Sequence, residues 1–173
     1  MRRFTLGLLF LGLASCGGEE TPDTPTTFTD ASAAVDAGNA AMASGDYDGA
    51  VHAFQYVVDN PPNEQIKMDY AMELCAALVG AEKDTDAMEV LTALATEHAE
   101  LLSAEKLQGL ADRLLKPGAG SSYRVAEHVV NIAKDALPEG ELAKFDVDKV
   151  EKGVAALQSG DLNALAELGY VGD

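Results

Sequence analysis

Nucleophilic, redox or metal chemistry in this 173-residue chain would have to start from two cysteines and three histidines. His52, His98 and His128 each stand alone. No second histidine or cysteine falls three or four residues away, the spacing that would set two ligands on one face of a helix. They read as partly exposed surface histidines. Cys75 follows Met72, Glu73 and Leu74, which offer none of the positive charge that turns a thiol into a thiolate. It reads as a small buried hydrophobe. No HExxH, CxxC, GxxxxGK or EF-hand pattern occurs. Asp146 and Asp148 stand two apart, but no glycine or downstream glutamate completes a calcium loop. They suit the start of a helix, where its dipole favours carboxylates. Gly118, Gly120, Ser121 and Ser122 look superficially like a phosphate cradle. Such a cradle follows a strand, whereas this one follows a helical segment stopped by Pro117. No catalytic residue, metal or cofactor is assigned, and the chain is not read as an enzyme.

The elements that would have to position any site are helices. From Asp30 onward the chain is rich in Ala, Leu, Glu, Asp and Met, with no convincing alternation of period two. The fold class is therefore all-α. Breakers and capping residues divide it. Asp30 caps a helix to about Ala43, stopped by Ser44 and Gly45. Asp46 caps a second, to Asp59. Asn63 caps a third, to about Ala81. A fourth runs from Asp84 or Thr85 to about Leu102. Ser103 caps a fifth, ended by Lys116 and Pro117. Ser121 or Ser122 starts a sixth, ended near Pro138. Asp148 with Glu151 reads as the capping box of a seventh, ended at Ser159 and Gly160. Asp161 caps an eighth, to about Leu168.

Ahead of these helices, Arg2 and Arg3 precede an apolar run from Phe4 to Leu13, too short to span a bilayer, which takes roughly 20 residues. Residues 1–15 read as a secretory signal peptide. Its LASC ending resembles the lipobox of bacterial lipoproteins. That resemblance implies that Cys16 becomes a lipidated N-terminus anchored in the cell envelope. With Gly17 rather than Asp next to it, the family pattern implies the outer membrane, facing the periplasm, if the host is Gram-negative. Residues 16–29, GGEETPDTPTTFT after the cysteine, are too polar to fold and read as a flexible linker. Lipidation of Cys16 leaves Cys75 without an intramolecular disulfide partner. The formal charge of −17 becomes two units more negative when Arg2 and Arg3 leave with the signal peptide. Such a surface repels nucleic acid.

Residues 31–64, ASAAVDAGNAAMASGDYDGAVHAFQYVVDNPPNE, resemble the tetratricopeptide repeat, a 34-residue pair of helices A and B. Gly38 matches the position that lets the two helices approach. Gly45 and Asp46 match the turn, Ala50 the small contact on helix B, and Phe54 the large residue between the helices. Pro62 matches the terminating proline. Ala34, Ala37, Ala41 and Val57 depart from the pattern. A degenerate second unit aligns Cys75 with Gly38 and Ala87 with Ala50. EKGVAALQSGDL at 151–162 echoes DAGNAAMASGDY at 36–47. The resemblance implies antiparallel helix pairs, stacked over 30–173 as a short superhelix.

It also implies a groove lined by the A helices. Carried over residue by residue, the partner-binding positions are Asp36, Asn39 and Met42 in the first unit and Met72 and Glu73 in the second, with Val35 and Asp69 beside them. The cations of the clamp that grips acidic C-termini are missing: Ser32 and Asp36 stand there. Asp36, Asp69 and Glu73 are expected to give the groove a negative potential, suited to a neutral or basic peptide. The chain is accordingly read as a membrane-anchored, non-catalytic protein-interaction module. A structural subunit of an outer-membrane assembly complex is the alternative, and an enzyme with an unmarked site the third class.

Overall fold

The computed structural model describes residues 27–171. The signal peptide, Cys16 and most of the linker lie outside them. Among the described residues the chain is all-helical, with no strand. The helices are α1 (Ala31–Ser44), α2 (Tyr47–Asp59), α3 (Glu64–Gly80), α4 (Asp84–Glu97), α5 (Ala104–Leu114), α6 (Tyr123–Ala136), α7 (Glu139–Leu142), α8 (Val147–Ser159) and α9 (Leu162–Glu167). No helix among the described residues is long and apolar enough to cross a membrane.

Local chemistry explains where these helices begin. The Asp30 carboxylate accepts from the Ala33 amide at 2.9 Å, Asp46 from Gly49 at 3.0 Å and Asn63 from Ile66 at 2.9 Å. Ser103, Ser122 and Asp161 do the same for α5, α6 and α9. Each satisfies an amide the helix cannot, and such a cap contributes about 0.5–2 kcal/mol.

The turns that follow α1, α3 and α8 share one geometry. Gly45 and Gly160 adopt left-handed backbone, with φ of 78° and 72°. Beyond them the Asp46 amide donates to the Ala41 carbonyl, and the Asp161 amide to Ala156, both at 2.9 Å. Glu82 holds the same left-handed place between α3 and α4, at φ 61°, and the Lys83 amide donates to Leu78 at 2.8 Å. A side chain there is strained where glycine is not.

Tight turns fold α1 onto α2 and α3 onto α4. The pairs then lean on one another: α2 packs on α3, α3 on α5, α4 on α6 and α6 on α8, with α9 closing on α8. Their buried faces form one core, in which Phe54, Met68, Leu74, Leu107, Val129 and Leu165 are all at most 1% exposed. Phe54 lies directly over Gly38, where any Cβ would overlap its ring. That absent side chain is what brings α1 against α2.

Three boundaries differ from expectation. The fourth helix stops at Glu97, not Leu102. His98 leaves helical dihedrals, its ring held between Lys67 (3.0 Å) and Glu64 (3.7 Å), and a single 3-10 turn, Ala99–Leu101, follows. Asp146, not Asp148, caps α8: its carboxylate accepts from the Lys149 amide at 3.0 Å, while Asp148 faces Lys152 at 2.6 Å. The last linker residues are not free of the domain. The Phe28 ring lies 5.3 Å from those of both His52 and Tyr56, one turn apart on α2.

Candidate functional site

On α3, Asp69, Met72 and Glu73 stand at i, i+3 and i+4 and so share a face. On α5, Lys106, Gly109, Leu110 and Arg113 repeat that spacing. Where α3 and α5 pack side by side, these faces enclose a cleft of about 530 Å³, with Glu105 at its rim. Met72 and Leu110, 8% and 5% exposed, form its apolar floor. A second cleft of about 240 Å³ adjoins it, lined by Met42 and Tyr47, Ala76 on α3, Arg113 and the loop from Lys116 to Gly120. Arg113 belongs to both.

Of the carboxylates expected to make the groove negative, Asp69 and Glu73 are paired here. Lys106 is ion-paired with Asp69, and Arg113 donates to Glu73 at 2.8 Å. Each carboxylate that α3 brings to the cleft meets a cation from α5. The cleft is therefore two ion-pair rungs across an apolar floor, with Glu105 as the carboxylate in excess. Burial raises the Tyr70 phenol above its usual pKa, and Glu73, Asp69 and Asp36 add to the shift.

Of the residues expected to bind a partner, Met72 and Glu73 line the main cleft together and Met42 lines its neighbour. Asp36 and Asn39 lie exposed on α1, outside the lining of both. Lys106, Leu110 and Arg113 were not anticipated. A signal for them lies in the sequence, because α5 carries the inner-face spacing one unit further along.

Other reactive groups lie elsewhere. Cys75 is fully buried, its Sγ donating to the Ala87 carbonyl at 3.7 Å, and burial pushes its thiol far above the usual range. Little thiolate is available there at neutral pH. His128 bonds Thr92 at 2.9 Å, and His52 packs on Phe28. Among the described residues, no group of three or more His, Cys, Asp or Glu is placed to hold a metal ion. No protein-family model, curated protein or solved structure matches this chain.

Proposed function

We propose that the chain is a lipid-anchored, non-catalytic interaction module of the bacterial envelope, built from tetratricopeptide-like repeats and attached through Cys16. The α3–α5 cleft is its binding surface for a segment of a protein partner. The observation that carries this reading is the cleft itself. Its volume lies within the roughly 300–1,000 Å³ of ligand sites, and an apolar floor with a few held polar groups is their usual make-up.

Two further observations support the repeats. Left-handed turns closed by the same amide-to-carbonyl bond recur at Gly45, Glu82, Gly160 and Gly169, while Gly118 and Gly120 also have positive φ. Polar contacts between neighbouring units also join residues at nearly constant separation: 37 for Lys106 with Asp69, 38 for Ser122 with Asp84 and 40 for Arg113 with Glu73. A stack of similar helix pairs brings equivalent positions together in this way.

The test is affinity capture from cross-linked envelopes, with the parent protein and a Lys106→Glu/Arg113→Glu variant whose helix content is checked by circular dichroism. The variant sets like charges against Asp69 and Glu73 and should lose the partner while staying folded. Equal recovery by both proteins would remove the cleft from the interface. Palmitate label that survives Cys16→Ala would remove the anchor.

A further inference from the structure

Glycine within a helix is less favourable than alanine, so each one invites a reason. Three helical glycines of this chain have one. Gly38 lies under the Phe54 ring, Gly80 under Tyr47 and Gly153 under Tyr170, and in each case a Cβ would overlap the ring. Neither Gly140, in the short α7, nor Gly109 has such cover. Gly109 sits in the middle of α5, exposed, and a Cβ built there meets no atom of its surroundings within 4 Å. It lines the main cleft between Lys106 and Arg113.

We propose that the open face of Gly109 is the seat for an aromatic side chain of the partner. This rests on the reading of the α3–α5 cleft as the binding surface. At three places in this fold a bare helix backbone receives a ring, and Gly109, unlike the equally open Gly140, lies in a cleft with room for one. The surroundings suit one. Lys106 and Arg113 lie one turn to either side of Gly109 on the same face, and both attract the negative face of a π system. Arg113 can keep its edge on Glu73 while its plane stacks on a ring. The Met72 thioether and Leu110 supply a polarisable, apolar floor.

The same charges limit what flanks the ring. Asp69, Glu73 and Glu105 outnumber Lys106 and Arg113, and both cations are already paired. An anionic ligand would have to displace a carboxylate, so the residues beside the ring are neutral or basic. A second copy of this chain, at a formal charge of −17, is repelled.

The experiment titrates the full mature chain with acetylated, amidated Gly-Lys-X-Lys-Gly peptides, where X is Trp, Phe, cyclohexylalanine, Leu or Ala. Amide and methyl NMR shifts of Gly109 and Met72 report binding. Trp and Phe should bind at this site about fivefold more tightly than cyclohexylalanine, which has the ring's bulk but no π face. Gly109→Leu fills the open space and should weaken binding about tenfold or more. Gly109→Ala controls for helix stability. If cyclohexylalanine binds at Gly109 as tightly as Phe, the aromatic seat is wrong and the cleft stands as a general apolar site. If Gly109→Leu binds Trp and Phe peptides as well as the parent, or no peptide shifts Gly109, the seat is wrong as well. Full capture of the envelope partner by Gly109→Leu would remove the cleft reading too.

Discussion

The Arg113 guanidinium donates to the Glu73 carboxylate at 2.8 Å, across 40 residues of sequence and from one helix pair to the next. Both side chains are about two-fifths exposed, 40% and 41%. Solvent therefore screens the pair, and its direct contribution to stability is small. A double-mutant cycle with Arg113→Gln and Glu73→Gln should give a coupling of about 0.2–1 kcal/mol that shrinks as salt rises. Chemical denaturation measures it. A coupling above about 3 kcal/mol would mean that the pair behaves as a buried one and serves the fold first.

Phe54 and Gly38 should be strongly coupled, because the ring occupies the space a side chain at Gly38 would need. Phe54→Ala should cost about 3–5 kcal/mol, toward the low end because α1 is mostly small residues. Gly38→Ala should destabilise the parent, yet cost far less in the Phe54→Ala background. Additive losses in urea denaturation would contradict this packing.

Glu82 is the only non-glycine residue with positive φ among the described residues, and it stands where the comparable turns use Gly45 and Gly160. Glu82→Gly should therefore raise stability by about 1 kcal/mol, since left-handed backbone costs an L-residue roughly 1–2 kcal/mol. A fall in thermal midpoint would show that the Glu82 side chain itself holds the turn.

Much of the fold was legible because its boundaries are local. A capping side chain bonds an amide two or three residues on, so Asp30, Asp46, Asn63, Ser103 and Asp161 announce helices in the sequence itself. The end of α4 was not legible. Ala99, Leu101 and Leu102 continue a helical pattern, and His98 breaks it through contacts with Glu64 and Lys67, far back in the chain. The cleft divides in the same way. The inner faces of the first two helix pairs pointed to Met72 and Glu73. The pairing of Asp69 and Glu73 by Lys106 and Arg113 is a relation between units, and no local pattern carries it.

Tyr170 offers a test by pH. Its hydroxyl donates to Asp112 at 3.2 Å and Lys149 lies 4.7 Å from its ring centre. Burial, followed by the Asp112 charge, raises its pKa above the ordinary value of 10.0. The folded state therefore favours the neutral phenol. That contribution is fully present below pH 10 and is lost as pH rises above it, where the unfolded chain ionises first. Stability should fall above pH 10 more steeply in the parent than in Tyr170→Phe. Parallel denaturation midpoints for the two proteins between pH 8 and about pH 11 would contradict this.

The central claim is that the α3–α5 cleft receives a partner, and photo-crosslinking in intact cells tests it most directly. A benzoylphenylalanine at Glu105, exposed at the rim of the cleft, is compared with one at Glu127, exposed on α6. A discrete adduct from position 105, weakened by Gly109→Leu and absent from position 127, is the predicted result. Adducts from position 127 alone, or the same products from both positions, would contradict it.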